Sequence, residues 1–367
     1  MKYMKMAAIA MMALALFSCN KKDEPKKAED AVLRICINDA ELRALGDAYK
    51  TGDQTTCMTE VNLILDNGAK IELKGQQLTE AKSSTGCMIP VTYAVNSVAL
   101  TANGVVGDDT SITTLQGKNL KEEIPLEAKA TATSTTTANG QTVYSVTLKP
   151  VPHVARVEVF GKIKPEANTA GKNAFKSITV KQVYVNNYLD KRNDATRTLC
   201  LTNGTNGFAT APVAAMTDEI KDGDLADFVA GKKVAGYQLF PKKADEAATA
   251  ELYDHVIVKI EIEYSEDALK AKPELAKMTE RYVTMVKFMT AATGDLDHFE
   301  SGKIYKLNLG ELSKDFKTGD DGTPDPNNPD TPDPEPNAKR FLKVIVEPYT
   351  WTAVNIKPDV KGNGYKK

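Results

Sequence analysis

The chain has one tryptophan, three histidines and five cysteines in 367 residues, and each scarcity narrows its chemistry. His153, His255 and His298 are scattered, with no HExxH spacing; G-x-S-x-G, P-loop and dinucleotide fingerprints are missing too. Those spacings are what hydrolytic, phosphoryl-transfer and nicotinamide chemistry require, so the expectation is a protein that is not an enzyme. No CxxC occurs, which leaves zinc without support. Asp320-Asp321-Gly322 beside Asp325 lacks the EF-hand spacing and reads as a solvated acidic loop. No metal and no cofactor is expected. Lys and Arg number 47 against 49 Asp and Glu. Without a basic surplus to neutralise phosphates, nucleic acid is not an expected partner. Asn203-Gly204-Thr205 reads as a turn, not a glycan acceptor.

Long apolar runs are missing as well. The run from Met6 to Phe17, behind Lys2 and Lys5, would span about 18 Å as a helix, short of the roughly 30 Å hydrocarbon core. It reads as a signal peptide over residues 1–18. Its end, Leu16-Phe17-Ser18-Cys19, resembles a bacterial lipobox, which implies cleavage before Cys19 and lipid on that sulfur. Residues 19–30 form a polar tether. Within it, Lys22-Asp23-Glu24 resembles the signal that sends Bacteroidota lipoproteins to the cell surface. For the other cysteines two readings stand: a Cys57–Cys87 disulfide, or unpaired buried thiols, with Cys36 and Cys200 unassigned.

What is plentiful is short alternating runs of Val, Ile, Thr and Tyr, the mark of half-buried strands. Residues 31–43 hold a first strand, "AVLRICIN", and a loop. "MTEVNLILDNGAKIEL" reads as a hairpin around Asp66-Asn67-Gly68, because Asn-Gly tolerates a tight turn's positive φ. Further strands are expected in "IPVTYAVNSVALTAN" and "TVYSVTLKP". Pro150 and Pro152 punctuate the chain where "HVARVEVFGKI" begins. Beyond them come "FKSITVKQVYVNNY", "VAGYQLFP", "HVIVKIEIEY", "RYVTMVKFM" and "GKIYKLNLGEL". Short helices are expected at 224–230 and 266–277, with Pro273 interrupting the second. The fold class is therefore mainly β: two β-sandwich domains, 44–152 and 153–316, with few short helices.

The remainder is a Pro/Asp/Asn linker, 317–337, and a final segment, 338–367. Six prolines between Pro324 and Pro336 favour extended polyproline II, so "TPDPNNPDTPDPEPN" reaches roughly 45 Å. The thirty residues beyond Asn337 are too few for a core of their own. They open with "FLKVIVE", which matches "VLRICIN" position by position. Leu33, Ile35 and Ile37 share one face of the first strand; Leu342, Val344 and Val346 share one face of the last. A groove emptied of the first strand would accept the second from a neighbouring molecule. Three such aliphatic knobs are worth roughly 1.5–3 kcal/mol each when buried.

These features resemble the fimbrillin family of Bacteroidota, the type V pilus subunits, most closely the stalk pilins of short fimbriae. The likeness rests on the lipobox at Cys19, an Arg in the loop after the first strand, "GKIYKLNLGEL", the proline linker and "VIVEPYTWTAV". It implies transthyretin-like, Greek-key sandwiches and a C-terminal donor segment. It also implies cleavage by an Arg-specific protease between Arg43 and Ala44. Arg34 is a poorer candidate because it lies within the strand. Donor-strand exchange with identical subunits would use Leu342, Val344, Val346, Trp351, Val354 and Ile356. Tip and anchor fimbrial proteins, and the outer membrane through the precursor's lipid, complete the implied partners. Two alternatives stand beside it: a tip or anchor adhesin, and a surface glycan-binding lipoprotein.

Overall fold

The computed structural model describes residues 31–38, 58, 60–116, 125–138, 140–192, 197–198, 213–241, 254–290, 294–296, 299–325, 340–343 and 345–347. The chain is mainly β, in two units with separate cores.

In the first unit, β1 (Ala31–Ile37), β4 (Cys87–Val91), β7 (Thr133–Thr136) and β8 (Thr142–Leu148) form one sheet in the order β4-β1-β8-β7. The opposing sheet runs β3-β2-β5-β6-β9, from β2 (Glu60–Leu65), β3 (Lys70–Lys74), β5 (Ser97–Ala102), β6 (Leu126–Thr131) and β9 (Val151–Pro152). Alternation drives this pairing of sheets. Val61, Leu63 and Leu65 of β2 and Val98 and Leu100 of β5 are all buried, facing Leu33, Ile35 and Ile37 across one core. The expected hairpin is β2–β3. Gly68 sits at φ 84, and Asn67 Oδ1 accepts from the Ala69 amide at 2.9 Å. A short helix, α1 (Gln76–Ala81), buries Leu78 and Ala81 beneath the same core.

The second unit repeats the plan. β10 (Ala155–Phe160) lies between β15 (Ala235–Leu239) and β19 (Ile304–Asn308), with β21 (Ile345–Glu347) at the edge. Against it stands β14-β11-β16-β17-β18, from β11 (Phe175–Asn186), β14 (Thr217–Glu219), β16 (His255–Tyr264), β17 (Glu280–Thr290) and β18 (Gly294–Leu296). β20 (Arg340–Lys343) pairs along β17. A two-residue ladder joins β12 (Tyr188–Leu189) to β13 (Arg197–Thr198). The expected helices are α3 (Leu225–Val229) and α4 (Glu266–Ala271). α4 has Ser265 as its cap, and it gives way at Lys272 to a 3₁₀ turn, Pro273–Lys277, that starts on the proline.

Three expectations are corrected. The span 44–152 is not one packing unit: α2 (Ile112–Gln116), between β5 and β6, puts Ile112 and Leu115 into the second core, together with Val106. The linker does not start at residue 317. Thr318 and Thr323 are buried, Thr318 Oγ1 accepts from the Ala174 amide at 2.9 Å, and the Asp325 amide donates to the Lys317 carbonyl at 3.0 Å. Lys317–Asp325 is thus a loop tied to the second unit. Third, the terminal segment, expected as a donor to a neighbouring molecule, is paired in this chain with its own second unit through β20 and β21.

Candidate functional site

β1 is the centre of the candidate site. It pairs antiparallel with β4 and parallel with β8, so its backbone is hydrogen-bonded along both edges. Ile35 stands opposite Cys87 on one side and Val146 on the other; Leu33 stands between Ile89 and Tyr144. Leu33 and Ile35 are 0% exposed and Ile37 is 2% exposed. Ala31 joins them as a fourth buried residue of that face, too small to stand out as a knob in the sequence. On the opposite face the Arg34 guanidinium donates to the Thr85 carbonyl at 2.7 Å and the Ser84 carbonyl at 2.9 Å, tying β1 to the loop before β4. That loop needs Gly86. It sits at φ 74, and a Cβ there would lie 2.7 Å from Cys36 Sγ and 2.8 Å from the Ile35 carbonyl.

β1 opens the order of described strands in the first unit. Its counterpart in the second unit has the same neighbours: β10 is antiparallel to β15 and parallel to β19. β10 follows β9 closely, and Ile163 just beyond it is buried in the same core. It also carries a buried ion pair, Arg156 Nε to Glu158 Oε1 at 2.6 Å. Of the two central strands, only β1 is a simple apolar ladder.

Cys87, buried beside Ile35 in the neighbouring strand β4, has a free thiol, as does Cys36. The Cys57–Cys87 disulfide reading is thereby set aside. Burial, with Glu80 nearby, pushes the Cys87 thiol pKa up, so it is a poor nucleophile while β1 is in place.

The matching terminal strand is two short strands, not one. β20 runs parallel to β17 with Leu342 opposite Phe288; β21 runs antiparallel to β19 with Val346 opposite Tyr305. Phe288 also pairs with Leu296 of β18, and Tyr305 with Val157 of β10, so each terminal strand takes the remaining side of its partner. Unpaired edges attract a strand wherever one is in reach, which is the physical reason the segment lies on its own body. Cys19, Arg43, Ala44, Val344, Trp351, Val354 and Ile356 lie outside the described residues. His153 meets Glu127 Oε1 through Nε2 at 2.5 Å. Asp321 is occupied by the Thr323 amide at 2.9 Å and hydroxyl at 2.7 Å. Among the described residues no group of three or more His, Cys, Asp or Glu could hold a metal.

No family model matches the chain, and no curated protein matches it either. Among solved structures, the chain is similar to a fimbrilin from Porphyromonas gingivalis W83, with 14% identity, 90% of this chain and 99% of that one covered, and a TM-score of 0.48. It is also similar to a candidate cell adhesion protein from Bacteroides eggerthii, at 16% identity over 92% and 96% of the two chains and a TM-score of 0.45. The tip fimbrial protein Mfa3 of P. gingivalis is similar at 11% identity over 76% and 94%, with a TM-score of 0.34.

Proposed function

We propose that this chain is the precursor of a structural fimbrial subunit at the cell surface. On this reading Cys19 is lipidated and carries the precursor to the outer membrane. An Arg-specific protease then cuts between Arg43 and Ala44, and β1 leaves. The segment around Leu342, Val344 and Val346 of another subunit fills the slot, with Trp351, Val354 and Ile356 extending the contact. Tip and anchor proteins would join the two ends of the polymer.

The observation that carries this reading is β1 itself: a central strand, paired along both edges, with Ala31, Leu33, Ile35 and Ile37 buried on one face. Removing it leaves two facing ladder edges, on β4 and β8, above a floor of buried aliphatics. Such a slot demands a strand with apolar residues at period two. The terminal segment has that pattern, and its present sites support the direction of transfer. Among the described strands β20 has one neighbour and β21 has one. The slot offers two, and each further ladder hydrogen bond contributes about 0.5–1.5 kcal/mol.

Arg43→Ala tests the reading. Mass spectrometry of wild-type surface material should show mature chains starting at Ala44, and the variant should stay a folded, lipidated monomer. Polymer of normal length from Arg43→Ala would refute it.

A further inference from the structure

Of the described residues between β5 and β6, Val106, Ile112 and Leu115 belong to the second unit's core and not to the first. Five residues are too few for a stable helix alone, so α2 owes its existence to what it touches. Ile112 and Leu115, one turn apart on one face, are 0% and 2% exposed, and both sit in the second unit's core with Val106. The second unit receives the helix with a specific set of bonds. The Gln116 carboxamide closes a two-bond ring on the backbone of Gln238 in β15: Nε2 donates to the Gln238 carbonyl at 2.6 Å, and Oε1 accepts from the Gln238 amide at 2.8 Å. Gln238 returns a third bond, from its own Nε2 to the Leu115 carbonyl at 2.7 Å. One side chain thus imitates the peptide group of a missing neighbour strand on the open edge of β15.

At the other end of the helix, the Ile112 amide donates to the Asp190 carbonyl at 2.6 Å and Ser111 Oγ donates to Asp190 Oδ1 at 2.5 Å. Ser111 also bridges Lys191 in antiparallel fashion. Asp190 and Lys191 follow β12 and belong to the second unit. The covalent crossing at His153–Val154 is therefore not the sole link between the units.

We propose that residues 103–116 are a clasp, anchored in the first unit and plugged into the second, that makes the two units unfold as one cooperative body. In a polymer the same clasp would carry tension from the strand slot of one unit to the terminal segment of the other. That load-bearing role rests on the function proposed above; the coupling itself does not, and it is read on the monomeric precursor.

The test compares the wild-type precursor with Gln116→Ala, with Ile112→Ala/Gln116→Ala, and with Leu63→Ala as a control buried in the first core. Calorimetry and amide hydrogen exchange are the readouts. Wild type should melt in one transition spanning both units. Gln116→Ala should speed exchange of the Gln238 amide by about five- to tenfold, as expected for a lost hydrogen bond. The double variant should split the melt into two transitions. Leu63→Ala should lower the melt without splitting it. Two separate transitions in wild type overturn the clasp. A single transition in the double variant, shifted or not, overturns it too, because α2 would then be ordinary core packing. Failure of polymer formation leaves all of these readouts unchanged.

Discussion

Ile35→Ala separates a strand that belongs to the mature protein from one that only occupies its place. Ile35 is the middle knob of β1, fully buried between Cys87 and Val146. Truncating a buried isoleucine to alanine costs about 2–5 kcal/mol, part transfer and part cavity. For a body of this size each kcal/mol lowers Tm by roughly 2–4 °C, so the precursor should melt about 10 °C lower. A second readout is the Cys87 thiol, 2% exposed beside Ile35 in β4. With Cys36, Cys57 and Cys200 replaced by serine, maleimide labelling of Cys87 should quicken by about two orders of magnitude in the variant, since opening by about 3 kcal/mol more easily corresponds to that factor. Polymer assembled from processed Ile35→Ala subunits should melt like wild type, because position 35 has been cut away. A polymer weakened as much as the precursor would refute strand exchange, since β1 would then still be in the body. A precursor of unchanged Tm would refute the central place of β1.

Other expectations follow from the same geometry. Val344→Asp should abolish SDS-resistant ladders, because a carboxylate in the apolar slot is unpaired, at a cost of several kcal/mol; the monomer, whose described terminal strands β20 and β21 each pair with one strand, should lose little stability, and a collapsed monomer melt would instead make the segment part of its own core. Arg156→Ala should destabilise the precursor by about 3–5 kcal/mol by leaving Glu158 buried without its partner, whereas Arg156→Met/Glu158→Leu should come near neutral in urea denaturation. Burial holds His153 below the usual imidazole pKa despite Glu127, which opposes the shift. Protons therefore bind the unfolded chain first as pH falls below about 6.5, so stability contributed by neutral His153 is full above that pH and declines below it. Denaturation midpoints between pH 7.5 and 5 should fall in wild type and fall less in His153→Gln; identical slopes would remove His153 from the account.

Much of this protein was legible as a linear pattern. Alternation marked β1, β2, β5, β8, β10 and β16, and Asn-Gly marked the β2–β3 turn, because strand period and positive φ are local properties. The three knobs of β1 were readable for the same reason. The strands β6 and β7 were not, since "LEAKAT" and "TSTT" bury little and alternate only between small and polar residues. The helix α2 left no local signal either: "ITTLQ" is rich in threonine, a weak helix former, and it is helical because the second unit's core receives it, with hydrogen-bond partners 79 and 122 residues on for Ser111 and Gln116.

The sequence by itself determined which residues face a core, where the chain turns sharply, and that two distant strands share one pattern. Those follow from side-chain alternation and backbone sterics, which act over a few residues. Only the tertiary structure decided that β1 is a central strand and not an edge, that α2 joins the unit it does not belong to by order, and that the terminal strands lie on their own second unit. Each of these depends on which edges remain unpaired once the sheets have formed, and an unpaired edge is a property of the assembled sheet that no stretch of sequence carries alone.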